Sequence, residues 1–135
     1  MLKILMSHLT NLETVFQHRS YLEQALTKLD INWKREKNIQ DQNGKEFSTI
    51  NLVIPQDNGS DIKFGWNDQE NKYELMIDTS FWKQSTTPQD FLGKVGQKYA
   101  GQLIVGEANK MGFKPSSYQE ETNGTTKLVL QRWSN

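Results

Sequence analysis

Residues 61–78, DIKFGWNDQENKYELMID, constrain this chain more than any other stretch. Ile62, Phe64 and Trp66 alternate with polar or small residues on one arm, and Tyr73, Leu75 and Ile77 alternate on the other. Successive side chains on a strand point to opposite faces, so this double alternation describes an antiparallel hairpin with one dry face and one wet face. NDQEN between the arms is turn material. Aromatic side chains bury large areas each, which a chain of 135 residues needs to close a core. A sheet with one dry face must be covered.

Two helical stretches supply the cover. In SYLEQALTKL, Ser20 and Glu23 have the spacing of a capping box, and Leu22, Ala25, Leu26 and Leu29 recur along one helical face. This predicts helix one over about Tyr21–Leu29. Further on, Thr87 is placed as N-cap, with Pro88 in the first turn and Asp90 complementing the dipole. Phe91, Leu92, Val95, Tyr99, Leu103 and Ala108 follow a helical stripe as far as Gly112, a good C′ residue, with Phe113 beyond it. The span of about 24 residues would be roughly 36 Å long. Glycines 93, 96, 101 and 106 lie inside it, each costing about 1 kcal/mol relative to alanine. Either the helix packs too closely for side chains there, or it breaks partway; the residues leave both open.

The remaining segments read as strands. SHLTNLETVF precedes helix one with partial alternation, and WKREKN reads as a solvated strand face. Asn43-Gly44 is a tight-turn dipeptide, and beyond it Phe47, or Ile50 with Leu52 and Ile54, gives a period-two apolar face that Pro55 ends. Asn123-Gly124 repeats the device between the last two strands. Strand, capped helix, Trp33, Asn-Gly and NLVI thus parallel strand, capped helix, Phe113, Asn-Gly and KLVL. The expected fold is a single α+β domain over 1–135, a mostly antiparallel sheet of about six to seven strands covered by two helices. Two βαββ units with an extra strand between them would give that sheet a pseudo-twofold.

Composition narrows function. Sixteen basic and sixteen acidic residues balance to a formal charge of zero, which argues against a nucleic-acid partner. The absence of cysteine removes disulfides, thiolate metal sites and cysteine nucleophiles. The apolar run in MLKILMSH is too short for a signal-peptide core or a membrane span, so a soluble chain without a transmembrane segment is expected. His8 and His18 lack metal-ligand spacing, and no phosphate-cradling or nucleophile-elbow motif is present. Asp61, Glu74 and Asp78 lie on neighbouring predicted strands and form the one candidate carboxylate cluster for an enzyme. The plainer reading puts them on the wet side of the sheet. No catalytic residue, metal or cofactor is assigned, and a protein partner is the favoured expectation over a small enzyme.

Tryptophan placement carries that expectation. Trp33 and Trp66 fit core or boundary positions, whereas Trp82 sits in a connection and Trp133 adjoins Arg132 near the last residue. Trp and Arg are enriched in interface hot spots, so Trp82, Arg132 and Trp133 are the candidate protein-binding residues. Their alternative role is to plug the core edge.

MSHLTNLETVF, LTKLDINWK, DIKFGWN with YELMID, FWKQ, the Tyr99-Ala100 pair and LVLQRW occur here in one order. In this the chain resembles the hypothetical chloroplast reading frame thirty-five family of red-algal plastids and cyanobacteria, over nearly its whole length from Met6. Members typically open at MSH, which makes Met1–Leu5 read as an extension or an alternative start. The glycines of helix two depart from the family pattern. The resemblance implies a plastid or cyanobacterial cytoplasmic setting and carries no catalytic residues over. With it, the expectation is an accessory protein acting in assembly or regulation of a photosynthetic or other plastid complex.

Overall fold

A computed structural model describes residues 9–38, 49–120 and 126–132. Strands β1 (Leu9–Glu13), β2 (Lys34–Asn38), β3 (Thr49–Ile54), β4 (Ile62–Asn67) and β5 (Lys72–Asp78) form one antiparallel sheet in the order β1-β5-β4-β3-β2. Helices α1 (Arg19–Lys28) and α2 (Pro88–Lys110) pack on each other and on one face of it. Strands β6 (Phe113–Glu120) and β7 (Thr126–Arg132) pair with each other and rest against α2. The protein is an antiparallel α+β fold, as its alternation and helical stripes dictate.

The hairpin at 61–78 is the centre of the sheet. Phe64 faces Leu75 and Trp66 faces Tyr73 across β4 and β5, and Phe64, Leu75, Ile62 and Ile77 are all buried. Asn67 shapes the turn, its Oδ1 accepting from the backbone N–H groups of Gln69 and Glu70. Leu22, Ala25 and Leu26 of α1 and Phe91, Val95 and Tyr99 of α2 close over this dry face. Leu52 and Ile54 join the core from β3, where Asn51 and Val53 are buried as well.

Helix one departs from its predicted start. Ser20 lies inside α1, His18 is the N-cap without a side-chain cap bond, and the Ser20–Glu23 box does not form. Tyr99 of α2 secures the helix entry instead. Its hydroxyl accepts from the backbone N–H groups of Gln17 and His18, both at 3.0 Å, tying the segment just before α1 to α2. Glu23 is thereby released to bind Arg35.

Helix α2 is continuous, which settles the question its glycines raise. At Gly106 an added Cβ would collide with the Tyr21 ring and hydroxyl, so α1 and α2 approach closely there because the side chain is missing. Gly93, by contrast, faces open space. Thr87 caps the helix as expected, its Oγ1 accepting from the Asp90 N–H at 3.1 Å.

Element order matches two βαββ stretches with β4 between them, yet no pseudo-twofold single sheet results. The ten residues of α1 span about 15 Å while the 23 of α2 span about 34 Å. Five strands side by side measure only about 24 Å. The last two strands pair only with each other among the described residues and form a separate ribbon. The Asn43-Gly44 and Asn123-Gly124 turns, Phe47, His8 and the Met1–Leu5 segment lie outside the described residues.

Candidate functional site

The carboxylates singled out in the sequence do not converge. Glu74 sits mid-strand on the face of β5 away from the helices, its two oxygens accepting from Asn67 Nδ2 at 2.8 Å and Asn11 Nδ2 at 3.3 Å. Asp78 ends the same strand and caps the following turn, accepting from the Ser80 N–H at 3.0 Å. Four residues along a strand separate Glu74 from Asp78 by about 13 Å. Asp61 precedes β4 and shares with Asp78 a depression of about 310 Å³. Chemically, Glu74 is an acceptor tying β1, β4 and β5 together. Among the described residues no group of three or more His, Asp or Glu is placed to hold a metal ion.

Each tryptophan among the described residues finds an indole partner. Trp33 donates to Thr27 Oγ1 at 2.9 Å and Trp66 to Asp68 Oδ1 at 2.9 Å. Trp82 donates to the Thr86 carbonyl at 2.7 Å and stands edge-on to Phe91, ring centroids 5.4 Å apart. It is half-buried against the core beside the first turn of α2. Arg132 lies on β7 with its guanidinium 5.7 Å from the centroid of the Phe113 ring, just past the other end of α2. Phe91 and Lys110 are about 29 Å apart along the helix axis. The structure therefore does not bring Trp82 and Arg132 together; Trp133 lies outside the described residues.

The second half of α2 and the ribbon carry exposed apolar side chains. Ile104 (46% exposed) and Met111 (70%) share one side of the helix seven residues apart, and Val129 (49%) and Leu130 (37%) belong to the ribbon that α2 supports. Half of the exposed large hydrophobic residues described thus occupy one end of the molecule. Two sequence signals point there. Ile104 and Met111 fall off the core-facing stripe of α2, and three consecutive apolar residues, Leu128 to Leu130, cannot all face one side of a strand.

Several cations lie at this end among the described residues. Lys114 and Lys127 project from β6 and β7 with Arg132, and all three are exposed. Lys110 closes the helix at 3.2 Å from Glu107, and that hydrogen bond holds its pKa above the usual lysine value.

A five-stranded antiparallel sheet under two helices, carrying a ribbon on the longer one, defines an α+β protein without a metal cluster among its described residues. The family described as a protein of unknown function, DUF1257, matches residues 25–129. A relative from Trieres chinensis named "Uncharacterized protein ycf35" is 50% identical over 121 residues, covering 89% of this chain and 93% of the relative. Relatives of the same name from Guillardia theta and Cyanophora paradoxa are 39% and 36% identical, each across 95% of this chain and 98% of the relative. The chain belongs to the ycf35 family. No solved structure matches it. Among the described residues no helix is long and apolar enough to cross a membrane.

Proposed function

We propose that this chain is a non-enzymatic accessory protein that works by protein contact in a plastid, in assembly or regulation of a plastid complex. The observation that carries this reading is a set of exposed apolar side chains on the second half of α2 and the ribbon packed against it, Ile104, Met111, Val129 and Leu130, the last two on opposite faces of β7. Exposed apolar side chains grouped in one region mark interaction sites, whereas scattered ones are ordinary. The cations around them select the partner: a protein segment that combines apolar side chains with carboxylates. Arg132 lies on the ribbon strand β7 and is a residue type that anchors such contacts, as is its sequence neighbour Trp133. The plastid setting is supported by the ycf35 relatives. The even balance of charge over the whole chain favours a protein over a nucleic acid.

Val129→Glu tests the reading. It places a carboxylate where an acidic, apolar segment would dock, on an exposed strand position that tolerates charge. Recovery of the partner from plastid lysate should fall sharply, with the melting temperature held, and Phe81→Glu at the opposite end should leave recovery intact. Equal recovery by both variants contradicts it.

A further inference from the structure

The two edges of the five-stranded sheet are guarded differently. β2 presents Lys34, Arg35 and Lys37, the kind of charged residue with which sheets keep other strands away. β1, LTNLE, carries neither lysine nor proline, and its register against β5 runs unbroken from Leu9↔Asp78 to Glu13↔Glu74. Tyr73 shows which of its backbone groups are open. That residue directs both of its own toward the β1 side, its N–H to the Phe16 carbonyl at 2.8 Å and its carbonyl to Thr14 Oγ1. Backbone direction alternates along a strand, so Leu75 and Ile77 also turn toward β1, where they meet Leu12 and Thr10. Leu9, Asn11 and Glu13 therefore turn their N–H and carbonyl groups outward. Among the described residues no strand lies on that side.

Two features beside this edge say what kind of strand it takes. The first is a depression of about 450 Å³ at the Glu13 end, with Phe16 and Leu92 in its walls. Gly93 of α2 lines it and leaves open space where a Cβ would stand, so an apolar side chain can enter from the helix side. The second is charge on the opposite face, where Leu9 lies beside Asp78 and Glu13 beside Glu74. A strand added to β1 sets one side chain next to each of these pairs. Lys72 is the counter-charge at that end, Lys63 being 3.2 Å from Glu36, so the margin stays negative. A second β1 paired about Asn11 would set its own Glu13 next to Leu9 and Asp78, adding carboxylate to carboxylate. The edge therefore suits a basic strand and not a copy of itself.

We propose that β1 accepts an extended, basic segment of a partner protein as a further antiparallel strand. Its cations lie opposite Leu9 and Glu13, with uncharged residues between them, and an apolar side chain one residue past Glu13 fills the depression. The backbone bonds of Leu9, Asn11 and Glu13 hold the strand, and the side chains choose it. The site is separate from the exposed apolar residues of α2 and the ribbon and does not depend on their role.

Amide hydrogen exchange of the purified full chain tests this with the peptide acetyl-Leu-Lys-Val-Thr-Val-Lys-amide. The peptide should slow exchange at Leu9, Asn11 and Glu13, saturably, and leave Leu12, already bonded to β5, unchanged. A peptide with glutamate in place of both lysines should bind about tenfold more weakly, and Glu13→Lys, an exposed change, should erase that preference. Methylating the lysine and threonine amides of the basic peptide, which would face β1, should abolish the protection. No protection by the basic peptide, equal protection by its methylated form, or a preference that survives Glu13→Lys overturns the proposal. So does slow exchange of the three amides in the dilute free chain, which would put another part of this chain on the edge. Protection that rises with protein concentration alone would put a second copy there and overturns it equally.

Discussion

Glu23, buried on α1, receives both arms of the Arg35 guanidinium from edge strand β2, Nε at 2.6 Å and Nη2 at 2.9 Å. The hydrogen bond from Glu23 raises the Arg35 pKa further above its ordinary value. Arg19 Nε lies 3.8 Å from the same carboxylate and is buried without a hydrogen bond. A bidentate clamp joins the helix layer to the sheet edge. Arg35→Met should lower the urea midpoint, because it strips a buried carboxylate of its fork partner. Adding Glu23→Gln should restore part of the loss. An unchanged midpoint for Arg35→Met would show that the clamp contributes nothing.

The central hairpin sets the stability of the sheet. Phe64→Ala or Leu75→Ala should cost about 2–5 kcal/mol, since both side chains are fully buried opposite one another. Chemical denaturation measures this directly. Losses below about 1 kcal/mol for both would place the dry face elsewhere.

Two glycines of α2 should respond with opposite sign. Gly93→Ala, with open space around its Cβ, should stabilise by about 0.5–1 kcal/mol through helix propensity. Gly106→Ala should destabilise, because Tyr21 occupies the space its Cβ would need. Thermal melts of the two variants shifting in the same direction would contradict the close helix approach at Gly106.

Tyr73 gives the fold an alkaline limit. Burial raises its pKa above 10.0, and its hydroxyl donates to the Ile50 carbonyl at 3.2 Å. A raised folded pKa means that the unfolded chain loses this proton first, so the contribution is intact below pH 10.0 and fades as pH rises through the folded value. Melting temperature should therefore fall more steeply above pH 10.0 in the parent than in Tyr73→Phe. Parallel curves would remove Tyr73 from the account.

Much of this architecture was legible in the residues because it rests on local periodicity. Alternation from Ile62 to Trp66 and from Tyr73 to Ile77 specified the hairpin, and Thr87-Pro88 specified where α2 begins. What escaped was set by partners distant in sequence. Ser20 and Glu23 have capping-box spacing, but Tyr99 holds the helix entry through Gln17, 82 residues away, and Arg35 engages Glu23 from 12 residues away. Trp82 and Arg132 were grouped on residue type, and the length of α2 parts them.

The most direct measurement is position-resolved photocrosslinking in plastid lysate, with a photoreactive side chain placed singly at 104, 111, 129, 15 and 81. Each of these positions is exposed, so labelling differences report on what docks rather than on folding. Contact through the apolar end of α2 predicts one common protein adduct from positions 104, 111 and 129, rich in acidic and apolar residues where it is joined, and none from 15 or 81. Adducts distributed evenly over all five positions, or confined to 15 and 81, would contradict it.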